Sequence, residues 1–139
     1  MEICCIIKPE AAHRAADIRS KIAERGIAVR ESMDIIYTDE LIAGLYDHMS
    51  EQARRDIAFR LSGKKGIALV LDAADTETVL EIAGRESDPR RCAPGSLRAE
   101  FGLYTESDPV GAEEWWQNAI HRPVDEREAR RDMRLIFGR

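Results

Sequence analysis

Apolar positions along the chain recur at two periods, and the switches between them mark its elements. Residues 2 to 7, EICCII, read as a buried strand, and Lys8-Pro9 ends it because proline cannot continue a ladder. EAAHRAADIRSKIAERG spaces Ala11, Ala15, Ile18 and Ile22 three or four residues apart and stops on Gly26, the pattern of a helix. IAVRESMDII alternates Ile27, Val29, Glu31, Met33 and Ile35, the period of a half-buried strand. Thr38 caps DELIAGLYDHM, and SEQARRDIAFRLSG follows with Ile57 and Leu61 inward, so a helical hairpin is expected. GIALVLD, bounded by Gly66 and Asp72, is a central strand. Asp75 or Thr76 opens ETVLEIAG, which closes at Gly84. RESDPRRCAPGS is a loop, and LRAEFGLY after it reads as a fourth strand. The last helix, EREARRDMRLIF, starts behind Asp125, with Glu128 placed to reach back in a capping box.

Strand, helix, strand, helical hairpin, strand, helix, strand and terminal helix make two split βαβ units. The expected fold is α+β and ferredoxin-like (βαββαβ): a four-stranded antiparallel sheet with helices on one face, plus the hairpin and the C-terminal helix. Helices gathered on one face account for the half-polar second strand. No repeat, low-complexity stretch or linker divides the sequence, so residues 1–139 are expected to form a single domain.

Charged residues make up 34% and hydrophobic ones 44%, the balance of a chain that folds on its own. The net charge of -5 opposes a specific nucleic-acid partner, yet a small phosphorylated ligand needs only a local group of cations. Glu2 stands where a signal peptide wants bases, and no stretch is long enough to span a membrane. Three cysteines, two of them adjacent, make no disulfide framework, and a cytoplasmic location is expected. Neither CxxC nor HExxH occurs.

Four polar residues carry the chemistry worth testing: Lys8 at the end of the first strand, Arg98 inside the fourth, and Asn118 and His121 before the last helix. If the first and fourth strands are neighbours, these side chains converge. Arginine offers a planar fork to phosphate oxygens, lysine offers a point charge, and a neutral imidazole can attack phosphorus. An isolated histidine is more often an ordinary surface or core residue, so the wider pattern must decide.

IIKPEA, GIALVL, SDPRRCAPGSLRAEFG and NAIH stand in an order and spacing that resemble the nucleoside diphosphate kinase family, whose pattern runs IKPD, a GPV-type strand, TDP, APGTIRGDFG and NxxH. The resemblance spans Ile3 to Phe137, and APGSLRAEFG and NAIH are its most specific parts. It implies a ping-pong transfer of the terminal phosphate of ATP to a nucleoside diphosphate, with His121 as the transient carrier. By the same resemblance Lys8 falls on the family's phosphate- and sugar-binding lysine and Arg98 on its phosphate clamp. Asn118 falls on the ribose-binding asparagine, Tyr46 on the tyrosine near the lysine and histidine, and Ser87 on a threonine whose hydroxyl donates to phosphate. Mg2+ is implied on the phosphates, with no protein cage, and so is a homo-oligomer, a hexamer or a tetramer built from dimers.

Departures from the family pattern are informative. HRPVD stands where the family has H-G/A-S-D-S, so Pro123 replaces a serine hydroxyl and Arg122 takes a small-residue position. Asp132 stands for the glutamate that orients the imidazole, one methylene shorter, which predicts a looser hold on the ring. A second family arginine falls on Glu81 or Leu80, with Arg85, Arg90 and Arg91 near enough to compensate. The base-stacking aromatic falls on a polar residue around Arg54 to Asp56, and Phe59 or Arg54 is expected to stack instead. About ten extra residues, ESDPVGAEEWW among them, precede Asn118, and the two tryptophans are expected to anchor a loop or interface outside the site. These departures leave a second reading, a weakly active or inactive nucleotide-binding relative.

Overall fold

The computed structural model describes residues 1–106 and 115–139. Its elements run β1 (Glu2–Ile7), a 3-10 turn over Pro9–Arg14, α1 (Ala15–Glu24), β2 (Ala28–Ile36), α2 (Asp39–Leu45), α3 (Glu51–Leu61), β3 (Lys65–Asp72) and α4 (Thr76–Ala83). After a 3-10 turn at Pro89–Arg91 come α5 (Leu97–Phe101), β4 (Leu103–Thr105), β5 (Trp115–Gln117), β6 (Ile120–His121) and α6 (Glu126–Phe137). Strands β2, β3, β1 and β6 form an antiparallel sheet in that order, which is the ferredoxin-like arrangement.

β1 lies inside the sheet with β3 on one side, from Glu2 opposite Asp72 to Ile7 opposite Ile67, and β6 on the other. Its unbroken apolar run is explained by burial on both faces. Ile3, Cys5 and Ile7 pack with Ile18 and Ile22 of α1 and Val79, Ile82 and Ala83 of α4. Cys4 and Ile6 point the other way, toward Ile42 and Leu45 of α2, Leu61 of α3 and Met133 of α6. α1 and α4 thus cover one face, while the hairpin and the C-terminal helix cover the other.

β2 keeps its expected place but not its expected alternation. It is an edge strand, and the register slips between Val29 and Glu31, leaving Arg30 as the extra residue of a bulge. One inserted residue exchanges the faces. Ile27 and Val29 therefore belong with the α1/α4 layer, Ile35 with the hairpin layer, and Met33 is 40% exposed.

The fourth strand is not LRAEFGLY. Those residues form the short helix α5 and then β4, which pairs with β5 in a separate two-stranded sheet. Ser96 decides this locally: its hydroxyl accepts from the Ala99 amide and starts a helical turn, and Leu97 and Phe101 sit four apart on one side of it. Five residues fit a period of two or of four equally well, so the alternation misled. The two residues of β6 take the vacated place beside Ile6 and Ile7.

Caps elsewhere follow the reading. Thr38 and Asp75 each accept an amide in the first turn of the helix they precede, and Ser50, not singled out from the sequence, does the same for α3. Asp125 accepts from the Glu128 amide, but the Glu128 carboxylate reaches the Val124 amide, one residue earlier than a capping box requires. All three cysteines are free and buried. Among the described residues no helix is long and apolar enough to cross a membrane.

Candidate active site

β6 delivers His121 to the floor of a cleft of about 940 Å³ that Lys8, Tyr46, Phe59, Ser87, Arg98 and Asn118 also line. The imidazole is 7% exposed, and its Nε2 lies 2.8 Å from Oδ2 of Asp132, which is wholly buried on α6. Direct contact overturns the expectation of a looser hold: the approach of α6 to β6 makes up for the missing methylene. A carboxylate at Nε2 assigns the ring proton to that nitrogen, which leaves Nδ1 with its lone pair and no partner among the described residues. Burial holds the imidazole below its ordinary pKa, outweighing the raising effect of Asp132, and Lys8 and Arg98 push the same way as burial. The ring is therefore neutral at pH 7. Tyr46 meets it edge to face, with centroids 5.9 Å apart.

The missing serine hydroxyl behind the carboxylate has a replacement that the sequence did not announce. Arg131 donates from Nε at 2.9 Å to the second oxygen of Asp132, which its Nη2 also approaches to 2.8 Å as an ion pair, and from Nη1 at 2.8 Å to Asp47. Arg127 holds the far side of Asp47. His121, Asp132, Arg131 and Asp47 form one chain of charge-assisted contacts running from the cleft to the surface.

Backbone strain sets the position of the histidine. Ala119 has φ +71°, and the Ile120 amide bonds back to the Asn118 carbonyl at 2.8 Å, so residues 118–120 make a γ-turn of the rare, strained kind. The turn is held from both sides. Lys8 donates its amide to the Ala119 carbonyl, and the Ala119 amide donates to the Glu10 carboxylate.

Asn118 joins three elements: its Oδ1 accepts from Lys8 Nζ at 3.1 Å and its Nδ2 donates to the Ser87 carbonyl. Ser87 Oγ in turn accepts from Trp116 Nε1 at 3.1 Å, which leaves its own hydrogen to donate. Both tryptophans of the extra segment therefore belong to the cleft, Trp116 through this bond and Trp115 with its ring 4.4 Å from the Arg60 guanidinium. That corrects their expected place outside the site. Their position two and three residues before Asn118 was the available signal. The rest of the extra segment, 107–114, lies outside the described residues.

Arg98 reaches the cleft from α5 rather than from a strand. Its Nε and Nη2 donate to the Ile120 carbonyl and its Nη1 to the Glu86 carbonyl, and burial lowers its pKa to about 10, still charged at neutrality. Gly84 permits this packing, since a Cβ there would sit 2.9 Å from the Arg98 Cβ. Of the arginines expected to compensate for Glu81 or Leu80, Arg85 lines the cleft but pairs with Glu77, and Arg90 folds onto Asp88. Arg122, 9% exposed, lines the cleft as well. Arg54 bonds the Met49 carbonyl and stays off the cleft wall, while Phe59, 72% exposed, stands on it.

Fold and site together define a ferredoxin-like α+β protein with a histidine-centred cleft lined by cations. A family model described as nucleoside diphosphate kinase matches residues 2–139, and the chain belongs to that family. A nucleoside diphosphate kinase of Pyrococcus horikoshii is 28% identical over 137 residues, covering 95% of this chain and 82% of the relative. Among solved structures, a transition-state mimic of the nucleoside-diphosphate kinase from Borrelia burgdorferi with bound vanadate and ADP superimposes with TM-score 0.79 at 20% identity, over 99% of this chain and 86% of that one. A halophilic nucleoside diphosphate kinase from Halobacterium salinarum in complex with CDP does so with TM-score 0.78 at 21% identity, over 100% and 88%. These two likenesses are of fold.

Proposed function

We propose that the protein is a working nucleoside diphosphate kinase that passes the terminal phosphate of ATP to a nucleoside diphosphate through phospho-His121. One observation carries the reading: Asp132 occupies Nε2 and leaves a neutral, partner-free Nδ1 beside Lys8 and Arg98. Nδ1 bonds to the terminal phosphorus as the bond from phosphorus to the bridging oxygen breaks, and ADP leaves with that electron pair. The proton stays on Nε2, where the Asp132 carboxylate stabilises the charge that the ring acquires. A terminal oxygen of the incoming diphosphate then attacks phosphorus and the imidazole departs neutral.

Lys8 and Arg98 hold the phosphates, Ser87 adds a hydroxyl donor, Asn118 and Lys8 meet the sugar, Tyr46 fixes the ring plane and Phe59 stacks the base. Mg2+ brought in with the nucleotide would supply further neutralisation of the charge that develops on the leaving diphosphate. Lys8, Arg98 and Arg122 line the cleft together with the carboxylates of Glu10, Asp56 and Glu128, so an ion carried on the phosphates would meet both signs of charge. Assembly as a homo-oligomer in the cytoplasm belongs to the same proposal.

Incubation with γ-labelled ATP and a quench in base tests it. We expect an acid-labile label that His121→Ala abolishes and that chases onto added GDP. An unlabelled wild type whose melting temperature still rises with ADP overturns transfer and leaves a nucleotide-binding relative without kinase activity.

A further inference from the structure

Arg122 is a residue whose type the family pattern does not call for, and its surroundings ask for an anion. It is 9% exposed and Arg98 is 5% exposed, and both line the histidine cleft. Nε of Arg122 donates to the Gly84 carbonyl at 3.1 Å and Nη2 to the Arg85 carbonyl at 2.9 Å. Among the described residues Arg98 likewise bonds only backbone, at Ile120 and Glu86. Most arginines that contact a carboxylate here do so at the surface, as Arg55 does with Glu51. Among the described residues these two buried guanidiniums have no ion-pair partner, and Glu86 and Glu128 act on Arg122 only from beyond contact.

A guanidinium carries five N–H donors. Carbonyls take three from Arg98 and two from Arg122, so two and three remain, and among the described residues Nη1 of Arg122 has no hydrogen-bond partner. Two like charges buried side by side repel each other, and each loses hydration that backbone carbonyls only partly replace. Such a pair is satisfied when a ligand brings negative charge and several acceptor oxygens together. Phosphate oxygens match both the charge and the fork.

We propose that Arg122 is a phosphate-binding residue, forming with Arg98 a double guanidinium cradle for the diphosphate portion of a nucleotide beside His121. The assignment rests on the reading of the cleft as a nucleotide site, but not on phosphate transfer. In this arrangement the carbonyls of Gly84 and Arg85, at the C-terminal end of α4, aim the side chain before the ligand arrives, so little ordering remains to be done on binding.

A latch that merely ties residues 84–85 to β6 would explain the same two hydrogen bonds, and the test must separate the two roles. Titration calorimetry on the whole chain with ADP, tripolyphosphate and adenosine does so, alongside the melting temperature without ligand. We expect Arg122→Gln to weaken ADP and tripolyphosphate by about 10- to 100-fold, the range for losing charge-assisted bonds, while adenosine changes by less than about twofold. Arg122→Lys retains charge without the fork and gives a smaller loss for the same two ligands. If the glutamine variant does not fold, the lysine variant decides: weakened ADP with unchanged adenosine supports the cradle, and unchanged ADP overturns it. Equal losses for ADP and adenosine identify a latch and also overturn it. Failure of transfer is a separate result: a wild type that binds ADP but never takes label sinks the kinase reading alone. A labelled wild type with an ADP affinity that Arg122→Gln leaves untouched sinks the cradle alone.

Discussion

His121 Nε2 and Asp132 Oδ2 lie 2.8 Å apart across the interface of β6 and α6, with the carboxylate wholly buried. This contact chooses the tautomer and so chooses which nitrogen faces the cleft. Asp132→Asn keeps the shape but removes the charge and presents an amide that can donate to the ring, favouring the other tautomer. We expect single-turnover labelling from γ-labelled ATP to slow by roughly two to four orders of magnitude, the scale of comparable histidine-carboxylate pairs. ADP affinity should change little, and an equal loss in binding would mean that the site had rearranged instead.

The lowered pKa of His121 sets the acid limb of the reaction. Burial is the larger cause, opposed by Asp132. Labelling needs the neutral ring, so the rate should stay flat through the ordinary imidazole value near 6.5 and fall only at lower pH. Asp132→Asn removes a raising influence and should move that limb lower still. The linkage sign agrees: between the lowered folded value and about 6.5 the unfolded chain binds the extra proton, so His121 makes stability rise with pH across that window and adds no slope above it. Rate profiles from pH 4.5 to 8, with denaturant midpoints at the same points, check both claims.

Arg131 positions Asp132 in place of the absent serine. Arg131→Gln leaves one carboxylate oxygen without its Nε donor and its ion pair, and breaks the link to Asp47. Loss of such an outer partner costs about 10- to 100-fold in comparable sites, and removing one member of a buried pair costs about 3 kcal/mol of stability. The pH profile distinguishes positioning from simple unfolding. With Asp132 less well held, its raising effect on His121 weakens and the acid limb drops, and Arg131→Lys should restore part of that shift.

Phe59 offers a case without cost to the fold, since it is 72% exposed on the cleft wall. Phe59→Ala should weaken ADP by about 1 to 3 kcal/mol, the range for base stacking, and leave tripolyphosphate affinity and the melting temperature unchanged. Unchanged ADP binding would move the stacking role to Trp115 or Trp116.

Much of the scaffold was legible because its causes are local. Caps at Thr38 and Asp75 act within one turn, and the apolar run of β1 reports burial on both faces directly. Misreadings occurred where a segment was too short to show a period or where the partner was distant. LRAEFGLY fits strand and helix alike until the Ser96 cap is weighed, and the β2 alternation hides a bulge at Arg30 that only the register with β3 reveals. Within the site, residue types and spacing singled out Lys8, Arg98, Asn118 and His121. Arg122, Arg131, Ala119 and Trp116 escaped, because each works through a partner between 29 and 84 residues away or through a backbone angle.

By itself the sequence determined the caps at Thr38, Asp75 and Asp125, the central strand and the family pattern that marks His121, all of them properties of neighbouring residues or of fixed spacing. Tertiary structure decided that two residues suffice for the fourth strand, that Asp132 reaches the ring despite its shorter side chain, and that Arg122 turns inward to the end of α4. Those outcomes depend on distances between elements remote in the chain. A hydrophobic period records which face of an element is buried, but not how closely another element approaches it.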